Sequence, residues 1–175
     1  DEDSNAAEYF SQKNVTVFSK DYDALRNLNL GENFERSGAY PYRGLRGADI
    51  PDDLRILKLE DMFSFIESKG KLHDFLYSIE IKYPFPWAPK MLSELYRIVQ
   101  KYDVSENVIV GSFWPDVISY FDCHYAGKMY RYAGAFEIFD LYRSYYYNED
   151  LSGKKIGYIA MSLPYYEDDG KMLIA

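Results

Sequence analysis

Glu80 and Lys82 are the side chains in this sequence with the plainest potential for chemistry. They stand two residues apart in the run Tyr77-Ser78-Ile79-Glu80-Ile81-Lys82. On a β-strand, residues at that spacing project to the same face. A carboxylate beside an ammonium on one face has two readings. Either the two neutralise each other as a buried ion pair, or the carboxylate holds a cation while the ammonium meets an anionic substrate. A second β-branched run, Val108-Ile109-Val110-Gly111-Ser112-Phe113, also ends in a polar group. If the two runs are neighbouring strands, Ser112 and Phe113 open onto the same rim as Glu80 and Lys82.

Holding these groups together requires a particular frame. Between the two runs lies a helical pattern over residues 90–102, with an apolar stripe of Met91, Leu95, Ile98 and Tyr102. Strand, helix and strand make one βαβ unit, which places the strands parallel in a sheet covered by helices. In such folds loops and side chains converge at the strands' C-terminal ends, where chemistry is usually done. The remaining pattern continues the alternation. Residues 14–19 (Asn-Val-Thr-Val-Phe-Ser) and 155–161 read as further strands, and 128–132 as a short one. Helices are expected over 57–69 (Leu59, Met62, Phe63 and Ile66 on one face, Gly70 ending it), 116–124 (Val117, Ile118 and Phe121 inward) and 134–147. Residues 1–13 read as a loose lead-in, and 30–49, rich in Gly, Arg and Tyr, as a long loop or insertion. The expectation is one domain with 14–19, 77–82, 107–113 and 155–161 as parallel strands of a single α/β sheet.

Composition narrows the partners. A formal charge of -8 argues against a nucleic-acid backbone, since no basic stripe offsets it. The single cysteine, Cys123, excludes an internal disulfide and a cysteine zinc cluster, and its place on a helix suggests a buried thiol. No run approaches the roughly 20 apolar residues of a membrane span, and no signal peptide is visible. These features are those of a soluble chain, of undetermined compartment, whose abrupt start at Asp1-Glu2-Asp3 suggests a truncated N-terminus. The two histidines, His73 and His124, fall at helix ends rather than at strand C-termini.

Several motifs occur together in an order that resembles the glycerophosphodiester phosphodiesterases, a TIM-barrel family. Val17-Phe18-Ser19-Lys20-Asp21 is similar to the family's third strand, which ends in His-Asp. Ile50-Pro51 followed by Leu59-Glu60-Asp61-Met62-Phe63 is similar to its Ile-Pro-Thr-Leu-Glu-Glu-Val-Leu. Ile79-Glu80-Ile81-Lys82 resembles the fourth strand and Ser112-Phe113 the end of the fifth, while Arg131, Glu137 and Leu163-Pro164 resemble the pattern around strands six and seven. The resemblance implies strands three to seven of a (β/α)8 barrel and a metal-dependent hydrolase that cleaves a glycerophosphodiester to glycerol 3-phosphate and an alcohol. It implies Glu80 as a ligand of a divalent cation, Ca²⁺ or Mg²⁺, Lys82 against the phosphate with a catalytic part, and Ser112 on the substrate. Asp21 and Phe113 would stand at the rim.

The departures are as specific. Lys20 occupies the place of a catalytic histidine, and an ammonium with pKa near 10.4 is a poor acid at neutral pH unless desolvated. The family's His-Arg-Gly strand and its Glu-x-Asp pair have no secure counterpart, and Gly31-Glu32-Asn33 and Tyr42-Arg43-Gly44 imitate first-strand motifs in the wrong order. Two classes of function follow: an impaired phosphodiesterase, or a non-catalytic barrel relative that binds an anionic ligand or protein partner. The barrel's missing strands would leave open sheet edges for a second chain to cover.

Overall fold

The computed structural model describes residues 4–151 and the backbone of two short strands at 164–166 and 172–174. The chain divides into two compact units, Asp1–Met62 and Phe63–Ala175.

The first unit consists of turns pinned by polar side chains. Its helices, α1 (Ala6–Tyr9) and α2 (Tyr22–Leu25), have four residues each, too few to persist on backbone bonds alone. Asn5 and Asn29 bond reciprocally. The Asn5 N–H donates to the Asn29 carbonyl at 3.2 Å, and the Asn29 N–H donates to Asn5 Oδ1 at 2.9 Å. Asn29, fully buried, also donates from Nδ2 to Glu32 at 3.0 Å and to the Tyr42 carbonyl at 2.7 Å. Ser4 and Asn5 are buried too, so the expected loose lead-in is in fact tied down.

The loop at 30–49 closes on Glu32. Its carboxylate accepts the Gly44 N–H at 3.2 Å and the Arg46 guanidinium at 2.7 Å, and the residue is 9% exposed. The Arg46 hydrogen bond holds the Glu32 carboxyl below its ordinary pKa, against the opposing effect of burial. Arg55 adds a second pin, donating to the carbonyls of Arg26, Gly47 and Ile50 at 2.6, 2.6 and 2.9 Å.

Residues 14–19 do not form the expected strand. Asn14 has φ of +57°, and Val17–Ser19 make a single 3-10 turn. Val15 and Val17 instead line a cleft of about 390 Å³ with Leu25, Leu28, Leu30 and Ile56. Strand propensity expresses itself only where a partner ladder exists, and no strand lies among the described residues of this unit.

The second unit carries the sheet. Helix α3 (Leu59–Ser68) leads into it and stops at Gly70, whose φ of +65° a side chain would resist. Strands β1 (Tyr77–Glu80), β2 (Val108–Gly111) and β3 (Tyr130–Arg131) pair in that order, all parallel. Helices α4 (Ala88–Lys101) and α5 (Pro115–Tyr125) make the two crossovers, and each takes a proline in its first turn, where the missing N–H is harmless. The expected parallel pair and the short third strand are therefore present, giving a mixed α/β unit with a three-stranded parallel sheet.

The core follows the helical period. Ala88, Leu92, Leu95 and Val99 form the buried stripe of α4, and Val117, Ile118, Phe121 and Tyr125 that of α5. Phe63 is fully buried and meets Tyr77 and Tyr102 edge-on, with ring centroids 4.9 and 5.6 Å away. Cys123 is exposed rather than buried, because the stripe of α5 passes it by. Helix α6 (Ala135–Tyr146) shows Phe136, Phe139 and Tyr142 to solvent and buries only Ser144. Strands β4 (Pro164–Tyr166) and β5 (Met172–Ile174) pair antiparallel. The expected strand at 155–161 lies outside the described residues.

Replacing Glu32 removes charge-assisted bonds from a buried position. Glu32→Gln should lower stability by about 1–3 kcal/mol in urea denaturation at pH 7. Since folding lowers the Glu32 pKa, its contribution is complete above the unfolded carboxyl value near 4.3 and is lost as pH falls through the lower folded value. The difference between variant and parent should accordingly shrink below about pH 4.

Candidate functional site

Strand β1 sorts its side chains by period two. Tyr77 and Ile81 are buried on one face, while Ser78, Glu80 and Lys82 are exposed on the other. The apolar face has to enter the core, so the polar face has to leave it. Lys82 Nζ lies 2.7 Å from Glu80 Oε2, with the two side chains 72% and 35% exposed. That exposure excludes the buried reading of the pair. An ion pair this wet contributes about 0–1 kcal/mol and does not hold the core, so the ammonium is accessible to an anion.

The neighbouring strand shapes the ground beside it. Glu80 stands in register with Gly111 of β2. A Cβ at Gly111 would lie 3.2 Å from Tyr132 Cδ2, so the Tyr132 ring occupies the space a side chain there would fill. Tyr132 continues β3 by donating its N–H to the Val110 carbonyl at 2.8 Å. Along the C-terminal end of the sheet the sequence of groups is thus an ion pair, a bare backbone, and a ring.

The strands stay clipped together past their last ladder bond. Ser112 Oγ donates to the Ile81 carbonyl at 2.8 Å and accepts the Trp114 N–H at 3.2 Å. Trp114 Nε1 donates to the Lys82 carbonyl at 3.0 Å. Ser112, expected on the substrate, therefore commits its hydroxyl to backbone partners and positions the rim. Phe113, expected at the rim, is 78% exposed there, and Trp114 is half-exposed beside it.

Other predicted groups stand elsewhere. Lys20 and Asp21 belong to the Asp1–Met62 unit. Lys20 caps a 3-10 turn instead of ending a strand, with Nζ donating to Gln12 Oε1 at 3.3 Å and lying 4.7 Å from the Phe10 ring centre. Asp21 precedes α2 and makes no side-chain capping bond. His73 sits in the turn that enters β1, at the opposite end from Glu80. His124 stacks on Tyr120 at 4.0 Å, late in α5. Arg131 ends β3 but is gripped by carboxylates, reaching Asp122 at 2.6 and 2.8 Å and Glu137 at 2.7 and 2.9 Å. These partners, Glu137 first, raise the Arg131 pKa above its already high ordinary value. Such a guanidinium braces the start of α6, where Glu137 also accepts the Gly134 N–H at 2.6 Å.

The described residues assemble no cluster of metal ligands at this rim. Ca²⁺ and Mg²⁺ need several oxygen ligands, and no group of three or more His, Cys, Asp or Glu among the described residues could hold an ion. Glu80 is one carboxylate, and it already faces an ammonium. What the rim offers is an exposed ammonium on Lys82 and, past the end of β2, the exposed rings of Phe113 and Trp114.

Sequence reasoning missed Trp114 and Tyr132 as rim residues. The Gly111-Ser112-Phe113-Trp114 step carried a usable signal, because a glycine ending a buried strand leaves room for a neighbour. Removing the Ser112 clip should show in stability: Ser112→Ala is expected to cost about 1 kcal/mol in chemical denaturation and to speed hydrogen exchange at the Trp114 amide. No family model and no curated protein matches this chain.

Proposed function

We propose that the second unit is part of a phosphodiesterase-like (β/α) barrel and that its rim binds a phosphodiester anion through Lys82. The observation that carries this reading is the exposed Glu80–Lys82 pair at the C-terminal end of a parallel strand whose other face is core. A barrel with its helices outside would put such a pair on its inner, solvent-filled rim, where active sites lie in that architecture. The motif Ile79-Glu80-Ile81-Lys82 supports the same assignment by its resemblance to glycerophosphodiester phosphodiesterases, and makes a glycerophosphodiester the ligand class.

Binding and turnover separate here. Hydrolysis needs charge neutralisation on the phosphoryl oxygens and a proton for the leaving alkoxide. Lys82 supplies part of the first, with Glu80 fixing where its ammonium sits. Neither histidine lies at this rim, and the metal that the resemblance implies finds one carboxylate among the described residues. Were further carboxylates to join Glu80, a bound Ca²⁺ or Mg²⁺ would neutralise phosphoryl charge. The proposed role of the chain itself is accordingly recognition of a phosphodiester, with little hydrolysis.

Titrating glycerophosphocholine into the chain, followed by amide chemical shifts, tests the reading. Shifts should concentrate at Lys82, Gly111 and Trp114, and Lys82→Met should weaken binding by about tenfold or more, the usual worth of one charged hydrogen bond. Binding that ignores Lys82→Met would overturn it. Release of glycerol 3-phosphate should be slower than in a histidine-bearing enzyme by at least about 10²-fold. Rapid Ca²⁺- or Mg²⁺-dependent release, abolished by Glu80→Gln, would restore the metal enzyme.

A further inference from the structure

We infer that the rim selects phosphodiesters whose alcohol carries a planar aromatic ring, with Phe113, Trp114 and Tyr132 as the specificity-determining side chains. This rests on the proposed phosphodiester site and adds the identity of the group beside the phosphate. Three features lead to it. First, the rings occupy the end of the sheet at which Lys82 presents its ammonium. Trp114 is fastened to the Lys82 carbonyl at 3.0 Å, Phe113 precedes it, and the Tyr132 ring overlies Gly111, the register partner of Glu80.

Second, Phe113 and Trp114 have little hydrogen-bonding capacity left for a polyol. Phe113 has none, and the only donor of the Trp114 indole already serves the Lys82 carbonyl. A glycerol moiety placed here would lose water from its hydroxyls without finding replacement partners on these two side chains. A flat ring loses nothing of the kind and gains offset or edge-on contacts. Third, Phe113 is 78% exposed. It stands between the Ser112 and Trp114 clips, where its apolar face is open for a ligand's ring to cover.

Two diesters of equal charge separate the ring from the phosphate: methyl phenyl phosphate and dimethyl phosphate. Titrated into the full chain by calorimetry or amide shifts, methyl phenyl phosphate should bind at least about fivefold tighter, the worth of one aromatic contact. In Phe113→Ser that ratio should fall toward one. Because Phe113 is mostly exposed, its loss leaves the core intact; Tyr132→Leu, which keeps the apolar bulk over Gly111, provides the second variant and should reduce the ratio as well. Equal affinities in the parent chain, or a ratio unmoved by both variants, would overturn the inference while leaving the phosphodiester site standing. Failure of both esters to bind, or binding indifferent to Lys82→Met, would remove the site and the inference together.

Discussion

The parallel pairing of β1 with β2 fixes almost everything that can be argued about function. A parallel pair cannot be closed by a tight turn, so the chain between the strands has to cross over as a helix, here α4. The crossover buries one face of the sheet, and the period of two then dictates what happens to each β1 side chain. With Tyr77 and Ile81 in the core, Glu80 and Lys82 have no choice of side. The register Glu80 to Gly111 places the ion pair beside the one position of β2 that lacks a side chain. A slip of one residue would bury the charges and set the apolar residues in water.

The two units use the same chemistry to opposite ends. Glu32 meets Arg46 at 2.7 Å and Glu80 meets Lys82 at 2.7 Å, yet the first carboxylate is surrounded by additional donors from Asn29 and Gly44 while the second is open to water. A buried carboxylate with every lone pair engaged has no capacity left for a ligand, and its removal leaves buried donors unsatisfied. An exposed pair contributes little to folding and keeps ammonium hydrogens accessible. Distance alone would have ranked the two alike. Burial and the remaining partners make one a structural pin and leave the other an exposed pair.

Sequence pattern served well where burial and period are linked, and poorly where side chains replace secondary structure. The runs around Glu80 and Val110 declared themselves because a strand with one packed face must alternate and a central strand must be apolar. The α5 stripe was legible for the same reason; on α4 Leu95, Ile98 and Tyr102 are buried as expected, whereas Met91 is only half-buried and Ala88, Leu92 and Val99 complete the core face. Residues 14–19 carry a similar alternation, but Asn14 takes a left-handed conformation and the valines turn into a cleft; nothing local encodes whether a partner strand exists. The Glu32 cluster was invisible in a different way. Its members, Asn29, Glu32, Gly44 and Arg46, are separated by up to 17 positions of irregular chain, and only the closed loop brings them together. Gly31-Glu32-Asn33 and Tyr42-Arg43-Gly44 looked like misplaced motif fragments, and they turn out to bond each other through Gly44 to Glu32 and Arg43 to Asn33.

The rim shows how a requirement of the backbone becomes a feature of the surface. Where β1 and β2 end, the carbonyls of Ile81 and Lys82 would be left without ladder partners. Ser112 and Trp114 satisfy them from the adjacent chain. A serine alone would have met that need with almost no surface. Using an indole to reach the Lys82 carbonyl instead leaves a large, half-exposed ring at the strand end, with its donor turned toward the protein. Phe113, between the two clipping residues, is directed outward because its neighbours on both sides are held. The bonds that close the sheet thereby bring Phe113 and Trp114 to the end of the strand that carries Glu80 and Lys82, so the surface there follows from how the backbone is satisfied.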